Sequence, residues 1–288
     1  MSPDAYNDEI CYTDTSERMM ILTQFDKEHV YQQARKWVEE AGEMIRSTID
    51  QPREVDTKLN PNDLVTEMDR KVEEFFAEKI RSKYPTDLIL SEEGFGDQVD
   101  DLKGTVWIID PIDGTMNFVH QKRTFAISLA VFHEGVGEIG FVYDVMADIL
   151  YHAKKGEGTY KNSQRLKPLV AEKKLSEAIL MLNPLWCAPN TRVNHEKIGE
   201  LVKTVRGTRS YGSAALEFAY LAEGIADAYL SFQLQPWDFA AGVILYHEVG
   251  GRTVQSTGKD LTFLVQEPTV AGHPDLIDQI INDFIKLK

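Results

Sequence analysis

Two aspartates that directly follow an apolar stretch are the residues of this sequence with the most evident chemistry. Asp110 and Asp113 come after the apolar run 106–109. Two carboxylates at the end of a buried strand repel each other, and leaving both ionised is unfavourable unless a cation or a hydrogen-bond donor neutralises them. Hard oxygen ligands suit Mg²⁺ and Mn²⁺. The pair therefore indicates a divalent metal site.

The residues after this pair suit an anion beside the metal. Gly114 and Thr115 follow directly, and a helix that begins there would direct its backbone N–H groups toward an anion. The acid pair, the turn and the helix start together predict a metal-assisted phosphate site.

Other acidic positions could join this site, and each also has an ordinary structural explanation. Asp69 lies in the first turns of a predicted helix, where a carboxylate favours the helix dipole. Glu92 and Glu93 follow a short apolar strand; such pairs usually lie in a solvated turn, although ligands commonly gather at strand ends. Asp238 stands at a predicted helix start, where it could be only a cap. Both interpretations stay open at each position.

Amphipathic helices and short strands must position these residues. Apolar residues at spacings of three and four predict a first helix over 25–49 and a second that starts at Asp63 or Thr66 and ends near Tyr84. Further helices are predicted after Thr115 and over 196–205, 213–223, 239–249 and 275–286. Strands are predicted at 88–90, 106–109, 125–132, 140–145, 149–153, 158–160, 179–182, 226–232, 252–254, 261–263 and 269–271. Those from 125 to 160 resemble an antiparallel meander.

Composition narrows the class of protein. The chain has 288 residues, 43% hydrophobic and 27% charged, as in globular proteins, and its net charge of -15 argues against nucleic acid or an anionic membrane as a partner. No apolar run is long enough for a transmembrane helix. Two cysteines exclude a disulfide scaffold and favour the cytoplasm. We expect residues 1–22 to be a disordered tail rather than a signal peptide, because they are polar and acidic.

Four segments carry motifs of one known family. Residues 107–118 read WIIDPIDGTMNF, residues 237–242 read WDFAAG, residues 62–69 read NDLVTEMD, and Glu92 and Glu93 form an acid pair. They resemble, in turn, the signatures W-x-[IV]-D-P-[IL]-D-G-T-x-N-F, W-D-x-A-A-G, D-L-V-T-x-x-D and E-E of the inositol monophosphatase family. Its superfamily comprises Mg²⁺-dependent, commonly Li⁺-sensitive phosphomonoesterases. The first signature is long and specific, whereas the second alone would be weak.

The resemblance implies a set of metal ligands. Glu92, Asp110 and the backbone carbonyl of Ile112 match the positions that hold one ion. Asp110, Asp113 and Asp238 match those that hold a second. Two or three Mg²⁺ ions per subunit are implied, with Mn²⁺ able to substitute.

The resemblance also implies catalytic and substrate-binding roles. The Thr115 hydroxyl and Asp69 resemble the pair that orients and deprotonates the attacking water, and Glu92 belongs with these catalytic groups. Gly114 and Thr115 match the helix start that receives the phosphate. Lys58 corresponds to a supporting lysine near the metals. The implied contacts to the rest of the substrate are Gly212, Ser213, Ala214 and Asp238.

Fold, assembly and mechanism are implied in the same way. The family has an α+β fold, a layered αβαβα sandwich of the type shared with fructose-1,6-bisphosphatase, usually as a homodimer. We therefore expect residues 23–288 to form one phosphatase domain of two packed lobes: about 23–180 with the core of the metal site, and about 181–288 with Asp238. Two metal ions clamp an in-line displacement at phosphorus in such enzymes, so positioning and charge neutralisation dominate catalysis.

Two positions depart from the family pattern. Ser231 stands where inositol-specific animal members have a glutamate that binds sugar hydroxyls, which puts selectivity for inositol in question. Ser91 stands where many relatives have glycine, and we expect little consequence. The predicted reaction is hydrolysis of inositol monophosphate to inositol and phosphate. The alternatives are the same chemistry on fructose 1,6-bisphosphate, NADP⁺ or a 3′-phosphonucleotide, and a non-catalytic regulatory or binding protein with this fold.

Overall fold

The computed structural model describes residues 25–51, 55–57, 64–169 and 173–288 of the chain. The expected tail (1–22), Lys58 and Asp63 lie outside the described residues. Among the described residues, no helix combines the length and the apolar character that crossing a bilayer requires. Cys187 is free and exposed.

Seven α-helices lie in the described residues. They are α1 (Lys27–Thr48), α2 (Glu67–Lys83), α3 (Thr115–Gln121), α4 (His195–Thr204), α5 (Ala214–Glu223), α6 (Pro236–His247) and α7 (Pro274–Gln279). Short 3₁₀ turns cover Leu175–Glu177 and Pro184–Cys187, and a π-helical turn, Ile280–Phe284, follows α7.

Fourteen strands accompany these helices in the same described residues. They are β1 (Val55–Thr57), β2 (Leu64–Thr66), β3 (Leu88–Ser91), β4 (Thr105–Asp113), β5 (Ala126–His133), β6 (Val136–Asp144), β7 (Ile149–Lys154), β8 (Gly158–Lys161), β9 (Gln164–Arg165), β10 (Ile179–Leu182), β11 (Gly207–Arg209), β12 (Ala228–Leu234), β13 (Arg252–Gln255) and β14 (Glu267–Gly272).

The strands of the described chain form one large, one small and one two-stranded sheet. The large sheet has the order β3-β4-β5-β6-β7-β8-β9, in which β3 and β4 are parallel and all later neighbours are antiparallel. The small sheet has the order β11-β10-β12-β14-β13, and β10 runs parallel to both of its neighbours. The antiparallel meander predicted between residues 125 and 160 is therefore confirmed.

Successive side chains of strand β4 pack into different apolar clusters, which separate the layers of the fold. Val106 and Ile108 of β4 pack into one apolar cluster with α5, α6 and the inner face of the small sheet, while Trp107 and Ile109 pack into another with α1 and α2. Successive side chains of a strand point to opposite faces. A third cluster joins the outer face of the small sheet to α4 and α7. The layers are thus α1 and α2, the large sheet, α5 and α6, the small sheet, and α4 and α7. The predicted αβαβα sandwich of the α+β class is confirmed.

Helix α2 has one of its two predicted caps, Thr66. It begins at Glu67, because the Thr66 hydroxyl accepts a hydrogen bond from Met68 N at 3.2 Å and caps it. The preceding strand β2 pairs with β1, which the sequence did not predict.

The predicted strand at 261–263 and the predicted length of the last helix are wrong. Thr262 N donates to the buried Glu267 carboxylate at 2.9 Å, and Phe263 has a φ of 61°, so this segment is a turn. Helix α7 ends at Gln279 and the π-helical turn at Phe284, so helical structure stops before residue 286.

Candidate active site

The end of strand β4 explains how two aspartates three positions apart can face one site. In a regular strand, residues separated by an odd number of positions point to opposite faces. The pairing of β4 with β5 shifts register between Asp110, opposite Ser128, and Asp113, opposite Ala126. Such an irregularity adds a residue on one strand and re-aims its side chains. The bulge therefore allows both carboxylates to approach the same point.

Three aspartates from two layers come together there. Asp110, Asp113 and Asp238 each offer a carboxylate oxygen, and these atoms lie within 4.8 Å of one another. Asp110 and Asp113 are 2% and 7% exposed. Asp238 lies in the first turn of α6, where it accepts a hydrogen bond from Gln235 N at 2.8 Å. The helix-capping interpretation of Asp238 is therefore confirmed, and the same side chain also lies in the acidic cluster.

Asp113 also joins the large sheet to helix α5. Its carboxylate accepts hydrogen bonds from the Ser213 hydroxyl, from Ala214 N at 3.2 Å and from Ala215 N at 2.8 Å. Asp110 accepts a hydrogen bond at 2.9 Å from Ile112 N, two residues later in the chain. The structure thus places Ser213 and Ala214, predicted to line the substrate, directly against a predicted metal ligand.

The electrostatics of this cluster favour a cation. Burial raises the pKa of Asp110 well above its ordinary value, and the charges of Glu92, Asp113 and Asp238 raise it further. Burial likewise raises the pKa of Asp113 to about 6, although the Ser213 hydroxyl and the α5 amides oppose the shift. Closely spaced carboxylates, of which those of Asp110 and Asp113 are buried, are the oxygen-donor set that a hard divalent ion prefers. The residues present fit Mg²⁺.

The predicted pair of Asp69 and Thr115 is brought together. The Thr115 hydroxyl lies 3.3 Å from Asp69 Oδ1 and 3.1 Å from the Ile112 carbonyl oxygen, so two acceptors compete for its proton. The other carboxylate oxygen of Asp69 accepts from the hydroxyl and the backbone N–H of Thr66. Burial raises the pKa of Asp69 to about 6, and the charge of Glu92 contributes to the rise.

Glu92 approaches this group from the loop that follows β3. It is half-buried, and its charge acts on Asp69, Asp110 and Asp113. Among the described residues, the compact carboxylate cluster consists of the three aspartates without Glu92. Glu92 therefore lies near the cluster but outside it.

A further carboxylate, Glu73 of α2, holds the loop that carries Glu92. Glu73 is fully buried and accepts hydrogen bonds from Ser91, Glu93 and Phe95. Glu73 was not predicted from the sequence, although a glutamate on the apolar face of an amphipathic helix is a usable signal.

Gly114 permits the close approach of two segments of the site. Its φ is 94°, and a Cβ at this position would lie 3.0 Å from the backbone oxygen of Gly212. Three residues after Gly114, the Asn117 side chain donates hydrogen bonds to Thr124 O at 2.8 Å and to Tyr211 O at 2.7 Å. The first signature thus positions the loop around Gly212, a role of Asn117 that sequence reasoning missed.

A cleft of about 220 Å³ opens beside Asp238. The predicted substrate residues Gly212, Ser213 and Ala214 line it, and so does Ser231. The rest of its wall is formed by Asn183, Trp186, Ser210, Glu217, Tyr229, Gln233 and Leu234. Burial raises the pKa of Glu217 to about 7. Most of the polar residues that line the cleft carry a hydroxyl or an amide group.

Comparison with known proteins decides the family. The sequence model of the inositol monophosphatase family matches residues 26–287. The chain belongs to the inositol monophosphatase family. Membership confirms the resemblance found in the motifs and the predicted enzyme class, a phosphoric monoester hydrolase.

Two named relatives are similar to this chain over at least nine-tenths of their own length. The inositol-1-monophosphatase of Bacillus subtilis (strain 168) is 49% identical over 252 residues, which are 88% of this chain and 95% of that protein. The Nus factor SuhB of Escherichia coli (strain K12) is 34% identical over 247 residues, with 84% and 90% covered.

Solved structures of this family share the fold. Inositol monophosphatase-II from Staphylococcus aureus MSSA476 superposes with a TM-score of 0.82 at 43% identity, covering 90% of this chain and 96% of that one. Crystal structures of SaIMPase-II contain inositol monophosphate in one case and 2′-AMP in another.

Proposed function

We propose that this protein hydrolyses phosphate monoesters of small polyols, inositol monophosphate first among them, to the free alcohol and inorganic phosphate. The observation that carries the proposal is the convergence of Asp110, Asp113 and Asp238 within 4.8 Å at the mouth of a polar cleft. The relatives named inositol monophosphatase support it.

The acidic residues are assigned to Mg²⁺. In this proposal Glu92, Asp110 and the carbonyl of Ile112 hold one ion, and Asp110, Asp113 and Asp238 hold another. A third ion near Glu92 and substitution by Mn²⁺ belong to the same proposal. Bound divalent ions would neutralise the crowded carboxylates, lower the pKa of a water molecule and stabilise the leaving alkoxide.

Asp69 and Thr115 are assigned to proton transfer. The Thr115 hydroxyl donates toward Asp69 Oδ1 at 3.3 Å, so its own oxygen can accept a proton from the attacking water. Because the pKa of Asp69 is raised to about 6, its carboxylate is ionised at neutral pH and still basic enough to take the proton. The Thr66 hydroxyl and amide fix the orientation of this carboxylate.

The remaining residues are assigned to the ester. Gly114 and Thr115 bind the phosphate in this proposal, and Gly212, Ser213 and Ala214 contact the leaving group. Ser231 is buried in the cleft wall at 7% exposure. A hydroxyl there offers a weaker contact to polyol hydroxyls than a glutamate would, so selectivity among polyols should be broad.

A second candidate substrate class is a nucleotide that carries a 2′-phosphate, such as NADP⁺. The favouring observation is that SaIMPase-II, 42% identical, has been crystallised with 2′-AMP. A purine would have to extend from the cleft beyond Ser210, which lines both this cleft and an adjoining, more apolar depression.

Domain organisation and assembly complete the proposal. We assign residues 23–288 to one phosphatase domain with lobes at about 23–180 and 181–288, to Lys58 a supporting role near the metals, and to the protein a homodimeric state. Light scattering coupled to gel filtration tests the last point.

Phosphate release from a panel of phosphomonoesters tests the proposed activity. The panel contains inositol 1-phosphate, fructose 1,6-bisphosphate, 2′-AMP, 3′-AMP and NADP⁺, each with Mg²⁺, with Mg²⁺ and Li⁺, and with EDTA. We expect turnover of inositol 1-phosphate that needs Mg²⁺ and falls with Li⁺. Faster turnover of the 2′-phosphates would favour the second candidate. Absence of Mg²⁺-dependent release from every ester would refute the proposed function.

A further inference from the structure

We propose that Glu73 is a positioning residue of the metal site: it fixes the loop of residues 91–95, and with it Glu92, to helix α2. The proposal rests on the assignment of Glu92 as a metal ligand. Glu73 is 0% exposed and belongs to none of the motifs that carry the family resemblance.

The contacts of Glu73 all lead to this loop. Among the described residues, its Oε1 accepts hydrogen bonds from Ser91 Oγ at 2.7 Å and from Phe95 N at 2.8 Å, and its Oε2 accepts one from Glu93 N at 2.5 Å. A carboxylate only accepts, and all of these partners donate. The donors lie on both sides of Glu92 in the chain. The backbone of Glu92 is therefore held between them.

Helix α2 transmits this constraint to the proposed base. Asp69 and Glu73 are four residues apart, so they lie on the same helix face, about 6 Å apart along the axis. Asp69 contacts Thr115 and Glu73 contacts the Glu92 loop. Val72 and Phe76 anchor the helix in the apolar cluster beneath the large sheet. One rigid element thus sets the distance between the base and a metal ligand.

The far end of the loop is tied to the same helix. Arg81 donates to Phe95 O at 2.7 Å, and Asp97 accepts from Ile89 N at 2.9 Å. The loop between β3 and Asp97 is consequently fixed on both sides of Glu92. The Ser91 side chain supplies one of the bonds to Glu73, which gives this departure from the family's glycine a consequence that we did not expect from the sequence.

Glu73→Gln is the discriminating variant. An amide is nearly the same size, but in either orientation its NH₂ group must face a backbone N–H, of Glu93 or of Phe95. A group that orients a metal ligand through one contact typically changes metal affinity by 10- to 100-fold when it is lost. We expect the Mn²⁺ dissociation constant, measured without substrate by the EPR signal of free Mn²⁺, to rise about tenfold. Turnover should recover at saturating Mg²⁺.

Two further variants make the test specific. Ser91→Gly removes one hydrogen bond and should raise the Mn²⁺ dissociation constant about threefold. Glu267→Gln is the matched control, because Glu267 is a buried glutamate that holds a different loop through Thr262 N at 2.9 Å and Gln255 Nε2 at 2.6 Å. Its Mn²⁺ affinity should equal that of the wild type.

The outcomes separate this inference from the proposed function. Wild-type affinity for Mn²⁺ in Glu73→Gln, or equal weakening in Glu73→Gln and Glu267→Gln, would overturn the positioning role while the wild-type phosphatase activity stands. If circular dichroism shows that Glu73→Gln does not fold, an unchanged affinity in Ser91→Gly overturns it. Mn²⁺ affinity that is weakened most in Glu73→Gln, less in Ser91→Gly and not at all in Glu267→Gln supports it.

Discussion

Asp113 takes part in two sets of contacts. Its carboxylate accepts hydrogen bonds from the Ser213 hydroxyl and from two backbone amides of α5. The same carboxylate also belongs to the acidic cluster. These donors stabilise its ionised form. Burial still raises its pKa to about 6. A carboxylate oriented in this way is presented to a cation by the fold itself.

Asp110 provides the sharpest prediction for a single ligand. Asp110→Asn should abolish Mg²⁺-dependent turnover, because Asp110 is the ligand proposed to be shared between ions. The variant should melt in EDTA at or above the wild-type temperature, since the amide removes a buried charge that faces Glu92, Asp113 and Asp238. The control is Asp144→Asn, another buried aspartate, on β6, which should keep its activity. Near-normal activity of Asp110→Asn would refute the ligand assignment.

Thr115 tests the proton-transfer assignment separately from metal binding. Thr115→Ala removes the hydroxyl that faces Asp69 and should lower kcat about 100-fold, in the range of lost general base catalysis. The Mn²⁺ dissociation constant should not change, and Thr115→Ser should retain most of the turnover. A kcat for Thr115→Ala within a few fold of wild type would show that another group takes the proton.

At the scale of elements, the helices of the central layer fix the position of Asp238. Gly242 lies one helical turn after Asp238 in α6, and a Cβ there would lie 2.3 Å from Phe218 Cβ of α5. The glycine that ends W-D-x-A-A-G therefore serves the close packing of α6 against α5. It lets α5, which binds Asp113, approach α6, which carries Asp238.

Gly242→Ala should destabilise the protein by about 1–3 kcal/mol, because an added methyl group overpacks the contact between these helices. The matched control is Gly199→Ala in α4, where a Cβ meets no atom within 4 Å. It should stabilise the protein by about 0.5–1 kcal/mol through helix propensity. Urea unfolding measures both. Equal effects of the two substitutions would contradict the packing role.

Helices and strands that are marked by the spacing of apolar residues or by a capping residue could be predicted from the local sequence. The apolar stripe of α1, the meander of β5 to β8 and the start of α6 after Pro236 could all be inferred from spacing and capping. Strand β1 could not, because a strand of three residues is specified by its partner β2. The turn at 261–263 also escaped prediction, because its apolar residues resemble a strand, whereas its backbone is bound by the carboxylate of Glu267, five residues after Thr262.

The acidic residues of the candidate site could be predicted from the sequence, whereas the residues that support them could not. The first signature pointed to Asp110 and Asp113, but their approach to one another depends on a bulge against β5, which a single strand's sequence does not reveal. Glu73, Asn117 and the contact of Asp113 with α5 arise from segments far apart in the chain. Such contacts require the tertiary structure.

At the scale of the whole molecule, acidic residues from different layers meet where helices and the large sheet converge. Asp69 comes from the outer helical layer, Asp110 and Asp113 from the large sheet, and Asp238 from the central helices. The overall charge of -15 adds to their repulsion. Without a bound cation, this region should limit the stability of the fold.

The stabilisation that Mg²⁺ provides should therefore depend on pH. Burial raises the pKa of Asp69 and Asp113 to about 6, so the metal-free folded state binds protons that the unfolded chain has already lost between about pH 4 and 6. The contribution of these groups in EDTA is thus most favourable below pH 4 and is lost as pH rises through 6. Mg²⁺ needs the ionised carboxylates, so it restores stability above pH 6.

The measurement is the melting temperature in Mg²⁺ minus that in EDTA, which should grow from pH 5 to pH 7.5. Burial lowers the pKa of His152 and His247; they destabilise the fold on acidification, but equally in both samples. The difference should vanish in Asp110→Asn. A difference that is independent of pH would show that these carboxylates do not hold the ion.

The central claim is that carboxylates from separate segments converge at one place in the fold and bind divalent cations there. The direct measurement is an anomalous difference map from crystals of the protein grown with Mn²⁺. We predict peaks in contact with the carboxylates of Asp110, Asp113 and Asp238, with Asp110 touching two of them and Glu92 touching one. A map without peaks among these residues, at a Mn²⁺ concentration that supports turnover, would contradict the account.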